Sequence, residues 1–224
     1  KKLILFFIVF LHTKNTMATK TKTNPIEEKE DHLKTTVASI IKCPVADYQQ
    51  KDFIKSFRSY IMTARFTDQT YAENKRFRTY KPINDQDIYC AYNSSNEISK
   101  KVPKGVTLYV LEMNNTTNKI MGIGKVVNIP KNDKNYLYKV QQIGKHIRDM
   151  NRVNYDGNQH VDCSEMDEED LQKIAIIEHM CFKGSGHLKR PILITQFPAR
   201  KLLQLKQLFD AHELIENIFR KKYG

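Results

Sequence analysis

The sequence predicts an α+β fold, in which five or six mostly antiparallel strands form a small curled β-barrel flanked by helices. Segments with helical periodicity occur before residue 65 and after residue 163. Between residues 88 and 153, short runs rich in β-branched and aromatic side chains alternate with turn residues, as strands do. Two glycines lie within one such run, and strand glycines mark the bends that barrel corners require.

Apolar residues at helical spacing predict four helices, over residues 26–42, 50–64, 164–180 and 198–222. The first stops before Cys43 and Pro44, because the residue before a proline is disfavoured in a helix. The third opens with Ser164 and acidic residues, which suit the N-terminal end of the helix dipole. The fourth has Pro198 in its first turn and cations in its last.

The β-rich runs predict six strands, over residues 88–92, 106–113, 119–129, 136–143, 145–153 and 191–197. The sequences NNTTN and PKNDKN read as connections between them. Gly122 and Gly124 lie inside the third strand, where glycine indicates a bend, a bulge or a close backbone approach. The segment lacks the third glycine and the strand-to-helix context of a dinucleotide-binding motif.

The chain divides into three predicted regions. Residues 1–16 begin with two lysines and nine apolar residues, too few to span a bilayer as a helix. No small-x-small cleavage site follows, so we interpret this segment as translated upstream sequence or a cloning artefact, with a signal peptide as the alternative. Residues 17–49 form a flexible lead with a short amphipathic helix, and residues 50–224 form a single α+β domain.

Charge indicates the class of partner. The chain has 37 Lys and Arg against 25 Asp and Glu, a formal charge of +12, so a polyanion is the first partner to consider. The distribution of the charge is more informative than its total. No acid occurs between Glu178 and Asp210, where six cations fall: Lys183, Lys189, Arg190, Arg200, Lys201 and Lys206.

Four cysteines without a CxxC pair indicate a reducing compartment, and we predict an intracellular protein of the cytoplasm or nucleus, or a virion component. His179, Cys181 and His187, with Cys163, match no standard zinc-ligand spacing. No nucleophile elbow or other catalytic arrangement occurs. The sequence therefore predicts no metal, no cofactor, no membrane partner and no enzymatic activity.

Two segments are candidate nucleic-acid contacts. In the first, CFKGSGHLKRPILITQFP, two glycines can expose backbone N–H groups to an anion while the flanking cations hold phosphates. Its candidate residues are Lys183, Gly184, Gly186, His187, Lys189 and Arg190. In the second, RFTDQTYAENKRFR, cations alternate with aromatic rings that can stack on bases. Its candidates are Arg65, Tyr71, Asn74, Lys75 and Arg78. The alternatives are a plain helix-to-strand connector for the first segment and, for the second, a helix-to-strand loop whose aromatic rings cap the barrel.

The hairpin TLYVLEM–turn–IMGIGKVVNI resembles the central strands of PUA-like domains, which include the EVE, ASCH and YTH branches. The resemblance covers roughly residues 60–200 in element order. It implies a small β-barrel that grips RNA or modified DNA and often takes one base into a pocket. YTH domains use a tryptophan-rich cage, and because this chain has no tryptophan, that feature is not carried over.

The same hairpin also resembles the two-strand signature of GIY-YIG nucleases, with Tyr109 in the first element. Ile120 replaces the second tyrosine, and strands follow where that family places helices with an arginine and a metal-binding glutamate. We therefore predict a non-enzymatic nucleic-acid-binding module. One alternative is a structural or virion scaffold protein, with partners or self-association through the C-terminal helix. The other is a GIY-YIG-like nuclease with an altered site.

Overall fold

A computed structural model describes residues 35, 37–40, 44–80, 89–132, 152–184, 186–189 and 194–224. These residues belong to one compact unit, Thr35–Gly224. The helices are α1 (Asp47–Lys55), α2 (Asp68–Tyr80), α3 (Glu168–Phe182), α4 (Ala199–Leu205) and α5 (Ala211–Tyr223). The strands are β1 (Ser59–Phe66), β2 (Cys90–Ser94), β3 (Thr107–Asn114), β4 (Lys119–Val127), β5 (Val153–Gly157), β6 (Gln159–Asp162) and β7 (Thr195–Gln196).

The strands form two sheets. The larger has five strands in the order β6-β4-β3-β1-β7, and the smaller pairs β2 with β5. At the centre of the larger sheet β1 and β3 run parallel, whereas its other pairs are antiparallel. A parallel pair needs a crossover connection, and α2 with β2 lies in the chain between these two strands.

The predicted curled barrel is wrong: the chain is α+β, but its described strands form a mixed five-stranded sheet and a separate two-stranded one, with no closed barrel among them. The error begins at β1, which residues 50–64 predicted as helix. Every residue of β1 is buried. A strand covered on both faces loses the alternation of apolar and polar residues that identifies strands in a sequence.

Each face of the large sheet is covered. On one face, Tyr60, Met62 and Val110 pack in a core that includes Tyr92 of β2 and Tyr155 of β5. On the other face, Tyr109 of β3 lies with its ring centroid 5.3 Å from that of Phe219 in α5. The fold therefore has three layers, with the large sheet between α2 and the small sheet on one side and C-terminal helices on the other.

Local signals account for several elements. The β3–β4 hairpin turns at the predicted NNTTN sequence, where Asn118 adopts a φ of 57°. Helix α3 begins at Glu168, after a short 3₁₀ turn, and Asp167 caps it by accepting a hydrogen bond from Asp170 N at 2.9 Å. The predicted helix 198–222 is two helices, because Asp210 caps a new start by accepting from His212 N at 2.9 Å.

Other predictions fall partly or wholly on residues outside the described set. These are residues 1–16, most of the helix 26–42, the strand 136–143, most of the strand 145–153 and the first residues of the strand 191–197. Strand β6 and the part of β5 after Val153 were not predicted, and α2 lies in a segment for which no helix was predicted. Among the described helices, none has the length and apolar character needed to cross a membrane.

Candidate nucleic-acid interface

The glycine-containing loop of residues 183–189 closes the C-terminal end of α3. Lys183 N donates to His179 O at 3.0 Å, and Leu188 N returns to donate to Cys181 O at 2.6 Å. Gly184 has a φ of 77°, the left-handed conformation that follows many helix C-termini. At this glycine, the backbone requirement of a helix cap is therefore sufficient to explain the residue.

Gly184 and Gly186 give a matched pair of substitutions. Gly184→Ala should lower the free energy of unfolding by about 1–2 kcal/mol, because an L-residue is disfavoured in the left-handed region. Gly186→Ala should change it little, since a Cβ there would meet only Lys201 Nζ, at 3.7 Å. Urea unfolding followed by circular dichroism measures both. Equal losses in the two variants would contradict the assignment of Gly184 as the helix cap.

The two segments predicted from the sequence meet at Arg65. Arg65 Nε donates to the carbonyl oxygen of Leu188, and Asn115 Nδ2 donates to Lys189 O at 3.3 Å. Arg65 is buried, and burial lowers the pKa of its guanidinium to about 10. The loop is therefore held against the end of β1 and the β3–β4 turn.

Lys201 lies beside this loop and was not among the predicted contact residues. Its ammonium donates to Met180 O at 2.9 Å. Burial, followed by the neighbouring Arg200, lowers the pKa of Lys201, although Cys181 acts in the opposite direction. The sequence signal that includes Lys201 is the acid-free stretch from residue 179 to residue 209. The approach of residue 201 to residue 186 could not be read from that signal because it is a tertiary contact.

The exposed part of this surface is cationic. Lys183 is exposed, and Lys189 is half-buried with its ammonium 5.9 Å from the centroid of the Phe182 ring. Gly186 is exposed and His187 is half-buried, whereas Arg190 lies outside the described residues. We call the described cations Lys183, Lys189, Arg200 and Lys201 the cationic loop surface.

Two cations at the C-terminal end of α5, Lys221 and Lys222, are paired with acids within the chain. Lys221 Nζ lies 2.6 Å from Asp167 and 2.7 Å from Asp170, and Lys222 lies 2.8 Å from Glu165. The acidic cluster that precedes and opens α3 is thus matched by the last turn of α5. Glu178, the acid nearest in sequence to the cationic loop surface, pairs with Lys119 at 3.1 Å.

Most of the second predicted segment is used in internal contacts. Asn74 is buried and its Nδ2 donates to Ala91 O at 2.7 Å. Tyr71 is buried, and its hydroxyl donates to Asp162 and accepts from Arg78 Nη2, both at 3.4 Å. Lys75 is exposed. A role of this segment in nucleic-acid contact stays a prediction, and Lys75 is its member best placed to reach solvent.

Arg78 belongs to a buried ion network around Glu112, which sequence reasoning missed. The Glu112 carboxylate accepts from the Tyr92 hydroxyl at 2.8 Å and lies 3.1 Å from His160 Nε2 and 3.5 Å from Arg78 Nη1. The side chains of Glu112, Arg78 and His160 are only 0, 9 and 7% exposed. Charges buried to this degree require paired partners. The side chains of this network come from four elements, α2, β2, β3 and β6.

The partners determine the ionisation of the network. Burial alone would raise the pKa of Glu112, but His160, Arg78 and Tyr92 outweigh it and hold that pKa below its usual value. Burial acts to lower the pKa of Arg78, and Glu112 reverses this to a net rise. Burial, reinforced by Glu112, raises the pKa of Tyr71 to about 12. The network therefore contains an ionised carboxylate and a charged guanidinium.

The two glycines of β4 make room for this network. At Gly124, a Cβ would overlap the hydroxyl and ring of Tyr92, and at Gly122 it would meet the His160 ring and Val161 O. A bulge places two residues of β4 opposite Glu112, between the pairs Leu111–Ile123 and Met113–Ile120. Of the three predicted uses of these glycines, the structure therefore shows a bulge and a close approach.

No family model, curated protein or solved structure matches the chain. Within the described residues, no group of three or more His, Cys, Asp or Glu side chains is placed to hold a metal ion. Cys90, Cys163 and Cys181 are free thiols, and burial raises the pKa of Cys163 and of Cys181 to about 12. The resemblances given above therefore rest on the sequence motifs alone.

Proposed function

We propose that the protein is a non-enzymatic nucleic-acid-binding module that contacts phosphates through the cationic loop surface. One observation carries the proposal: the cations of this surface lie in a stretch without acids, whereas Lys221 and Lys222 at the end of α5 are paired with the acidic cluster that precedes and opens α3. Positive charge concentrated on one surface attracts a polyanion.

The placement of the loop also supports contact with a polymer. Gly184 and Gly186 are exposed, so a ligand can approach the main chain of these residues without meeting a side chain of their own. Anchoring by Arg65 and Asn115 fixes the loop on the sheet. A pre-positioned loop loses less conformational entropy on binding than a mobile one. The partner places the protein where nucleic acid is found, in the cytoplasm, the nucleus or a virion.

The alternative functions have less support. Helix α5 buries Leu214, Ile215, Ile218 and Phe219 within the fold, so its apolar stripe is used internally rather than offered to a partner. A nuclease would need carboxylates beside the cationic loop surface. Among the described acids, Glu178 is near that surface, and it bonds Lys119 and the Ile120 backbone.

The first test is a titration of labelled single- and double-stranded RNA and DNA at several salt concentrations. We expect affinity to fall steeply with salt, because each phosphate contact releases condensed counterions. Changing Lys183, Lys189 and Arg190 together to Gln should weaken binding to every sequence. It should also reduce the salt slope by about 2–3, since each lost phosphate contact removes about 0.7–0.9.

The matched control changes Lys51, Lys100 and Lys101 to Gln, which are exposed cations of other elements. This variant loses the same net charge and should keep most of the affinity. Absence of binding to any nucleic acid at low salt would refute the proposed function. Equal loss in both triple variants would instead show that net charge, rather than the cationic loop surface, governs binding.

A further inference from the structure

Lys201 occupies a position that charge alone does not explain. It is the third residue of α4 and lies in the first turn of that helix, yet its ammonium reaches Met180 O at the end of α3. The same ammonium lies 3.7 Å from the point where Gly186 would carry a Cβ. A side chain at position 186 would therefore stand directly in front of this cation.

The ammonium has capacity for another ligand. A lysine Nζ carries three N–H donors, and Met180 O accepts one of them. Within the part of the chain that the structure describes, Lys201 forms no ion pair with a carboxylate, and its charged neighbours include Arg200. A partly buried cation beside a second cation is stabilised by an anion that completes its donors.

The negative end of the α3 dipole lies at the same place and opposes anion binding. Its terminal carbonyl groups are, however, already hydrogen-bonded. His179 O accepts from Lys183 N, Met180 O from Lys201 Nζ, and Cys181 O from Leu188 N. The full charges of Lys183, Arg200 and Lys201 then exceed the partial charge of one helix end.

We propose that Lys201 and the exposed backbone at Gly186 form a phosphate-binding subsite, which accepts the phosphate group of a nucleic-acid backbone. The inference rests on the proposed function and adds a specific ligand to it. Lys183 and Lys189 supply the surrounding charge, whereas Lys201 donates directly to a phosphate oxygen. Gly186 is required because a side chain there would separate the phosphate from the ammonium.

The test uses the full chain, labelled for NMR, and inorganic phosphate as the probe, with sodium chloride adjusted to hold ionic strength constant. We expect saturable shifts of the Gly186 amide and of the Lys201 Nζ and Cε signals. The pKa of Lys201 should rise when phosphate is present, because a bound anion favours the charged form. A lysine that only caps α3 would show neither change.

Variants separate direct contact from charge. Lys201→Met should weaken phosphate binding at least tenfold, Lys201→Arg should retain most of it, and Gly186→Val should weaken it while leaving stability close to wild type. The control is Lys206→Met, a lysine whose ammonium lies 3.5 Å from Asp210, and it should bind phosphate normally. If Lys201→Met fails to fold, the Gly186→Val variant and the NMR signals of Lys201 in the wild type still test whether phosphate binds at this subsite.

A second titration with a short oligothymidylate distinguishes the source of the phosphate. Shifts of the same signals at lower concentration indicate a nucleic-acid backbone, and shifts with inorganic phosphate alone indicate a free phosphate ligand. Either supports the subsite. Unchanged Gly186 and Lys201 signals in both titrations would overturn it. The proposed function would then be tested separately by the salt-dependent binding of longer nucleic acids.

Discussion

Glu112→Gln is expected to lower the free energy of unfolding by about 3–5 kcal/mol, the range for removing one partner of a buried ion pair. Glu112 is fully buried, and its negative charge compensates the positive charge of Arg78, a residue of α2. Glutamine keeps the shape but removes the charge, so the guanidinium remains buried without compensation. Urea unfolding monitored by circular dichroism measures the loss.

Two comparisons isolate the charge effect. Glu97→Gln removes a carboxylate that lies 3.7 Å from Lys104 on the surface, and it should cost less than about 1 kcal/mol. The double variant Glu112→Leu with Arg78→Met removes both buried charges, and its loss should be smaller than the sum of the single losses. Additive losses would show that the two side chains are not energetically coupled.

The pH dependence follows from the direction of the Glu112 pKa. Its pKa in the folded state is below the usual value of 4.5, so the ionised group stabilises the fold above that pH. The contribution is lost as pH falls from the usual value through the folded-state pKa. Wild type should therefore lose stability below pH 4.5 more steeply than Glu112→Gln does. Parallel curves would exclude Glu112 as the titrating group.

Elements with local signals were predictable. The β3–β4 hairpin has an asparagine-rich turn between two β-branched strands, and α3 follows a run of acids that suits a helix start. Both signals lie within about ten residues of the structure they specify, so no knowledge of distant contacts is needed. The cationic gap between Glu178 and Asp210 is local in the same sense.

Helix α2 was missed because polar side chains occupy much of its inward face, beside the aromatic Tyr71 and Phe77. Tyr71, Asn74 and Arg78 are spaced at i, i+3 and i+7, the positions that usually carry apolar side chains on a buried helix face. Here Tyr71 bonds Asp162, Asn74 bonds a backbone carbonyl, and Arg78 pairs with the buried carboxylate of Glu112. A periodicity search that scores hydrophobicity cannot detect a helix whose buried partners are ions and hydrogen-bond acceptors.

The site required tertiary information. Arg65 was predicted to contact phosphate as part of a segment in which cations alternate with aromatic residues, whereas β1 fixes it against Leu188, more than a hundred residues later. Lys201 and Gly186 approach one another because the first turn of α4 lies beside the end of α3, where Lys201 Nζ donates to Met180 O. Sequence reasoning therefore identified the loop and its charge but not the cation beside it.

Gly124→Ala is expected to destabilise the fold by about 3 kcal/mol or more. The Tyr92 side chain crosses Gly124 to donate to Glu112 at 2.8 Å, and an added Cβ would overlap its hydroxyl and ring. Overpacking a core of this kind costs about 1–3 kcal/mol. Displacing Tyr92 also removes a hydrogen bond to a charged group, worth about 1.5–3 kcal/mol. Chemical denaturation of the purified variant gives the total.

A double-mutant cycle with Tyr92→Leu tests the mechanism. Leucine lacks the hydroxyl and the ring carbons that a Cβ at position 124 would meet, so Gly124→Ala should cost much less in that background. The difference between the two costs is the coupling between the glycine and the tyrosine. If Gly124→Ala is equally destabilising in both backgrounds, the glycine serves the backbone of β4 itself. Passage of Tyr92 to Glu112 would then not be the reason that β4 carries a glycine at this position.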